Sequence, residues 1–570
     1  MKAIHTGKRL LLAGALSAAL VVPPLAAEEV QLGGELNVVT MYRTLDAVTW
    51  DPQTWNWKNS HDGLFMDHLL RGNLDYGPRG KDVNAFTNQA FIPYEQLEGD
   101  LAESWEILED PLRIVFHLRD DVYWPAREGL MEKRKLVADD VVNHFEQIWA
   151  AERRIPEFYD FVDKWEAQDE RTVVAHLNHW HSNWHYRMAW GYFDAIAPPE
   201  WHALDSEGRG DWRNATGTGA YRLADVERGS RQVYERNPDH WDTVEIDGET
   251  YDLPLNDKVT YRIIKDEASA IAALRSGRVD IMEGVRWQFV DELKKGAPDL
   301  IWREALESAG HYMALRNDIP PFDDVRVRRA LNLAVDQGAI LEGLLDGRGE
   351  LLEYPISTTQ EGYYTPIDEL DEAGRELFDY NPERAMELLK EAGYEDGLTF
   401  KVQVFSGNPY HMDLVNLMEA YYSAVGVKME IQSMEYGAYR SMMGHENQAP
   451  GYMITNGAGN PLQVLRKSYL AGQTWNPDRH SDSHVDEQLN KAIRERDLEA
   501  QKEILKDLNV YVLEENVPHV FLPTPTAYSA WWPWVKNYHG ELRVGAVRPG
   551  PIYSRIWIDQ KMKEEMGFDD

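Results

Sequence analysis

The sequence predicts an α/β protein built around more than one hydrophobic core. Three observations carry that expectation. The chain has 570 residues, of which 43% are apolar. Short strand-like runs are interleaved with capped amphipathic helices, and no repeat at solenoid or propeller periods is visible. At about 100–200 residues per domain, such a length corresponds to roughly three to five domains.

The elements follow in order. Met1–Ala27 has the three parts of a secretory leader: Lys2, Lys8 and Arg9 at the basic end, an apolar Leu10–Val22, and Pro23-Pro24 before Leu25-Ala26-Ala27. Cleavage is expected to leave Glu28 first. The apolar run falls short of the roughly 20 residues that span a bilayer, and no later segment is apolar enough. Gly33-Gly34 precede a strand carrying Leu36, Val38 and Val39. Val137–Trp149 reads as a helix with Asp139 and Asp140 in its first turn, where carboxylates complement the dipole. Val325–Leu345 reads as another, with Val327, Ala330, Leu331, Ala334 and Val335 at helical spacing over a basic face of Arg326, Arg328 and Arg329. Pro382–Ala392 is the best-marked helix: Asn381 caps it, Pro382 suits its first turn, and Gly393 supplies a left-handed stop. Leu398, Phe400, Val402 and Val404 then alternate with polar residues as a half-buried strand does. Met429 and Ile431 mark a further strand, and Tyr452–Thr455 a third.

Charge and composition exclude several function classes. There are 59 basic and 96 acidic residues, a formal net charge of −37, and loss of the leader makes it more negative. A field of that sign repels phosphate backbones and anionic membrane surfaces, so neither nucleic acid nor direct membrane insertion is expected. With no cysteine, the chain has no disulfide, no thiolate chemistry and no acceptor for a lipoprotein anchor.

Catalytic signatures are absent: no Gly-x-Ser-x-Gly elbow, no phosphate-binding loop, no dinucleotide fingerprint. His445-Glu446 begins like a zinc-protease helix, but Ala449 stands where the second histidine belongs. His176, His179, His181 and His185 cluster in one segment, and in a helix His181 and His185 would share a face able to hold a transition metal. Trp180, Trp184, Tyr186 and Trp190 in the same segment read as packing residues, and no metal site is assigned. Trp50, Trp55 and Trp57 around Asp51-Pro52, and Trp475 beside Asn476-Pro477, stand in turn-rich polar company. There, flat rings suit stacking on a small ligand, or tuck over a core.

Several stretches, in order, resemble the family 5 solute-binding proteins of ABC importers, which include dipeptide, oligopeptide and nickel binders. They begin with Leu101-Ala102-Glu103-Ser104-Trp105-Glu106, Phe116-His117-Leu118-Arg119-Asp120-Asp121-Val122 and Ala138-Asp139-Asp140-Val141-Val142. They continue through Gly217-Thr218-Gly219-Ala220-Tyr221-Arg222-Leu223, Asn237-Pro238-Asp239-His240-Trp241 and Ala273-Leu274-Arg275-Ser276-Gly277-Arg278-Val279-Asp280-Ile281. Pro321–Leu331, Glu391-Ala392-Gly393-Tyr394 and Pro518-His519-Val520 complete the set. The resemblance implies a two-lobed periplasmic-binding-protein fold (type II, cluster C). Its expected divisions are a signal peptide at 1–27, a first lobe from 28–72, 190–282 and 529–570, an extra domain inserted at 73–189, and a second lobe at 283–528.

What the resemblance implies for function is capture of a solute by lobe closure and delivery to the transmembrane subunits of an ABC permease. A peptide or peptide-like ligand comes first. The expected molecule is a periplasmic monomer without enzymatic activity or cofactor. An oligosaccharide or metal-chelate binder is the alternative on the same fold, and a secreted glycan hydrolase or a receptor-coupled sensor the alternative of another class. Trp55 and Trp57 are expected on one wall of the cleft, Asn456, Gly457 and Asn460 on the other, with Trp475 as a further candidate. The resemblance also shows two departures. Peptide binders hold an aspartate for the ligand's amino terminus in the loop matching Tyr452–Pro461, and here that position falls near Gly457, with no carboxylate in the loop. Pro125–Lys135 replaces a short turn with a charged loop.

Overall fold

The computed structural model describes residues 29–568 apart from 41–48, 55–62, 78, 81–85, 87–91, 152–159, 192–193, 265, 308, 353–354, 361, 458–459, 474–475 and 546–547. The expected leader, Met1–Ala27, lies outside the described residues. Among the described residues no helix is long and apolar enough to cross a membrane.

Three sheets organise the chain. The largest has eight strands, running Tyr221–Glu227, Arg231–Arg236, Lys258–Arg262, Glu35–Thr40, Ile281–Val285, Thr524–Trp531 and Ile301–Leu306, with the short Gly349–Glu350 also paired to Thr524–Trp531. Glu35–Thr40 is parallel to both neighbours, and its Leu36, Val38 and Val39 are wholly buried. That is the near-continuous apolar run of a strand covered on both faces. The second sheet has five strands in the order Val427–Met434, Leu398–Phe405, Gly451–Gly457, Ala309–Leu315 and His519–Leu522. The third is a four-stranded antiparallel sheet of two hairpins, in the order Ala102–Glu109, Leu112–Leu118, Thr172–Leu177 and Val162–Asp169. The helix Ala138–Ala150 packs on it, with Phe145 stacked on Trp165 at 4.0 Å.

The chain passes between the first two sheets twice, from Leu306 to Ala309 and from Leu522 to Thr524. The strands entering each crossing are antiparallel neighbours on both sides. The link is therefore a two-stranded ribbon that leaves one sheet and joins the other, which is the α/β two-lobed architecture expected of the chain.

Residues of the matched stretches hold segments together. Asn237 donates from Nδ2 to the Gly219 carbonyl (2.9 Å) and accepts from Arg222 through Oδ1, tying the Asn237–Trp241 stretch to Gly217–Leu223. Gly219 is required there: a Cβ would lie 2.6 Å from the Phe65 carbonyl carbon. Asp280 accepts from the Asn37 amide and from Trp534 Nε1, each at 2.8 Å, so it fastens the central strand to the C-terminal segment. Asp140, in the first turn of Ala138–Ala150, accepts from Trp124 Nε1 at 2.8 Å and from Arg134.

Local signals held where capping chemistry was explicit. Asn381 caps Pro382–Glu391 by accepting from the Arg384 amide, and Gly393 follows with φ of +89°. The expected continuous helix Val325–Leu345 is instead two helices, Val325–Leu333 and Gln337–Leu345, because Asp336 caps the second by accepting from the Ala339 amide at 2.8 Å. Leu398–Phe405 alternates as expected up to Gln403, which is buried and satisfied by the Ala449 amide and by Gln432. The Pro125–Lys135 departure forms a clamp. Tyr123–Trp124 pairs with Arg134–Lys135, Arg134 bridges Asp140 and Glu200, and Arg127 donates to the carbonyls of Trp212, Arg213 and Leu223.

Candidate ligand-binding cleft

The wall expected at Asn456, Gly457 and Asn460 lies at the ends of two paired strands and the helix that follows. Ala309–Leu315 and Gly451–Gly457 run antiparallel, with Gly310 opposite Asn456 and Ala309 opposite Gly457. Asn460 then accepts from the Gln463 amide at 3.2 Å and caps Pro461–Tyr469, with Pro461 in the first turn. Leu462, Leu465 and Tyr469 anchor this helix against Val485, Leu489 and Leu505, and Val464 sinks among Tyr312, Tyr439 and Tyr452. Helical spacing leaves Gln463, Arg466 and Lys467 on another face.

That face meets the segment expected as the inserted domain. Arg187, on the short helix Trp184–Met188, donates to Gln463 Oε1. Arg466 acts electrostatically on His181, which burial first and then Arg187 and Arg466 hold far below the ordinary imidazole range. A second seam lies beside it: the Ser182 amide and hydroxyl donate to the carbonyls of Ile493 (2.8 Å) and Ala492 (3.1 Å), and Trp180 Nε1 donates to that of Glu495 (3.1 Å). These are carbonyls at the C-terminal end of the helix Ser483–Arg494 and its cap, where intrahelical donors run out; that of Ala492 also accepts from Gln501 Nε2 at 2.9 Å. The segment expected as the inserted domain thus donates to the end of a helix expected in the second lobe.

At the crossing ribbon sits a buried histidine pair. His311 Nδ1 and His411 Nε2 are 2.9 Å apart, Thr455 Oγ1 is 3.2 Å from the same His411 nitrogen, and His311 Nε2 lies 3.0 Å from Glu307 Oε2. Burial, and next the neighbouring imidazole, keep His411 well below its usual range, so it is neutral. The chain of contacts orients the strand that leads to Asn456.

The expected site residues fall unevenly. Asn456 and Gly457 close the Gly451–Gly457 strand, and Asn460 opens the helix just beyond it, so these three follow one another at the end of the second sheet's central strand. Trp55, Trp57 and Trp475 lie outside the described residues. Trp50 is a core residue, 6.0 Å from Phe65, and Asp51 beside it is ion-paired to Arg209 at 3.0 Å. The histidine cluster does not assemble into one site. His176 pairs with Glu166 at 3.0 Å; His181 lies outside the Trp184–Met188 helix; and His185 accepts from Trp190 Nε1, with burial pushing it down to about 3. Among the described residues no group of three or more His, Asp or Glu side chains is placed to hold a metal. Arg187, Gln463 and Lys467 were not read from the sequence, although the i, i+3, i+4 polar spacing after Asn460-Pro461 was a usable signal.

The family model of the bacterial extracellular solute-binding proteins, family 5 (middle region), matches residues 96–474. The chain belongs to that family. This solute-binding protein is 26% identical over 522 residues to heme-binding protein A of Haemophilus influenzae, covering 84% of this chain and 90% of that one. It is 25% identical to the dipeptide-binding protein of Escherichia coli, covering 77% and 83%. In structure it resembles the ABC transporter-associated periplasmic binding protein DppA from Helicobacter pylori in complex with peptide STSA, with a TM-score of 0.76, 20% identity, and coverage of 93% and 99%.

Proposed function

We propose that this chain is the periplasmic receptor of an ABC importer: it closes its lobes on a solute and presents it to the transmembrane subunits of the permease, with no covalent step. The observation that carries this reading is the match of the solute-binding family model across 379 residues (96–474), spanning both lobes. The two-stranded crossing between the sheets supplies a pivot, and the Arg187–Gln463 and Ser182–helix seams supply contacts made only when the lobes meet. A peptide or peptide-like solute is the leading ligand, by likeness to the dipeptide-binding relative. The cleft is assigned to Trp55, Trp57 and Trp475 together with Asn456, Gly457 and Asn460, in a monomeric protein released from a cleaved leader.

The test is a melting-midpoint screen of the purified mature chain against peptides, sugars, sugar acids and heme, followed by small-angle scattering with each stabilising compound. A true solute raises the midpoint by mass action and shrinks the radius of gyration. Chemical conversion of a stabilising compound by the purified protein overturns the receptor reading.

A further inference from the structure

A groove runs along one face of the first sheet, beside the helix Glu267–Arg275. By alternation Glu35 and Asn37 point away from the wholly buried Leu36 and Val38, toward this face. Arg262 and Arg231 stand opposite each other on the neighbouring strands. With the helix and the C-terminal Gln560–Glu565 they border a space of about 1530 Å³. None of the residues expected to hold the solute lines it.

Five cations border the groove, Arg231, Arg262, Arg275, Arg278 and Lys563, against two carboxylates, Glu35 and Glu564. In a chain with 96 acidic residues and 59 basic ones, that excess is a local one. Three of the cations are engaged: Arg231 with Asp225 at 3.3 Å, Arg275 with Glu292 at 3.6 Å and Lys563 with Asp280 at 3.7 Å. Glu35 is held by Lys258. Among the described residues no carboxylate pairs with Arg262 or Arg278. Arg262 donates from Nε to Asn37 Oδ1 at 2.9 Å, and Asn37 is only 9% exposed. Asn37 is fixed in turn by Asp280, whose carboxylate accepts its amide and whose own amide donates to its carbonyl, each at 2.8 Å. The guanidinium is therefore oriented from the sheet while its Nη groups stay uncommitted. Arg278, two positions before Asp280, comes to the same strand from the other side.

Much of the remaining lining is apolar. Ile263, Ile264 and Ile558 contribute, and Phe568 packs on Trp532 at 4.6 Å and on Trp534 at 5.0 Å. Gly277, with φ of +70°, admits that ring, since any Cβ there would run into it. Guanidinium groups match phosphate oxygens in a two-pronged geometry, and more strongly than neutral donors do. The apolar wall and the size of the space accommodate an organic body attached to the anion.

We propose that this groove is a second binding site, apart from the solute cleft, for an organic phosphate. The phosphate pairs with Arg262 and Arg278, and the attached group lies along Ile263, Ile264 and Phe568. A soluble phosphomonoester and the headgroup of phosphatidic acid share this chemistry. The site does not depend on the solute-capture reading.

The experiment is calorimetry on the full mature chain with phenyl phosphate, inorganic phosphate and phenol. It is joined by sedimentation with phosphatidylcholine vesicles, with and without added phosphatidic acid. The wild type is compared with Arg262→Gln, Arg278→Gln and the double variant. Phenyl phosphate is expected to bind the wild type, and each single change to weaken it about tenfold. Inorganic phosphate and phenol are each expected to bind more weakly than phenyl phosphate. Arg278 is exposed and unpaired, so Arg278→Gln should melt as the wild type does and its loss of affinity reports the site alone. Binding of phenyl phosphate without retention on vesicles assigns a soluble ligand. Retention that needs phosphatidic acid and disappears in the double variant assigns the lipid headgroup, and either result supports the site. Failure of both probes, affinity undiminished in the double variant, or inorganic phosphate binding as tightly as phenyl phosphate overturns it.

Discussion

At the residue scale, the interior is organised by ion pairs that must remain complete. Asp242 shows the energetics most clearly. Burial alone would raise its carboxyl, but Arg71 at 2.8 Å and Arg555 at 3.4 Å overcome this and hold it below the usual carboxylate range. A carboxyl lowered by folding contributes stability above its unfolded value near 3.9, and loses it as pH falls through the folded value. Asp242→Asn leaves two guanidinium groups buried without their shared partner, so denaturant unfolding near neutral pH should show a loss of about 3–5 kcal/mol. The same variant should lose less further stability on acidification than the wild type does. Residues of this kind were legible only in part. Asn237, Asp140 and Asp280 stood inside the matched stretches, where their types could be read. Arg71 and Arg187 had no local pattern, because their partners Asp242 and Gln463 lie 171 and 276 positions away.

At the element scale, what could be read depended on whether a boundary was written in capping residues. Asn381, Pro382 and Gly393 define one helix without ambiguity. Asp336 was equally explicit, but Ala334 and Val335 continued the apolar spacing and concealed the break. The two cases give paired expectations. Asp336→Ala removes the acceptor of the Ala339 amide and should cost about 1 kcal/mol in equilibrium unfolding. Gly393→Ala meets no atom within 4 Å, yet φ of +89° is strained for any side chain, and a loss of about 1–2 kcal/mol is expected despite the open space. The buried Gln403 marks the limit of period-two reasoning: alternation identifies the strand, and the Ala449 amide decides which polar residue faces inward.

For the whole molecule, the decisive feature is that the segment around Trp180 and Ser182 donates hydrogen bonds to a helix some three hundred residues away. The Ser182 hydroxyl and the Trp180 ring donate to the carbonyls of Ala492 and Glu495 at the end of Ser483–Arg494, contacts that parting of the lobes would break. A neutral hydrogen bond is worth about 1 kcal/mol net, so the combined Ser182→Ala and Trp180→Phe change should weaken solute affinity by roughly one to two orders of magnitude. Calorimetry on the double variant checks this, with scattering showing a larger probe-free radius. The two-lobed arrangement was legible because the matched stretches run through both sheets. The seam was not, since its donors and acceptors are separated by some three hundred residues.

The Pro523 carbonyl accepts the Tyr410 hydroxyl at 2.6 Å, and that tyrosine belongs to the helix Pro409–Ala424 packed on the second sheet. Proline also has a ring-locked φ. The second-sheet end of this crossing is therefore held twice, and Thr524, where the next strand begins, is paired with Glu350, so any change of angle between the sheets would have to be shared along the link.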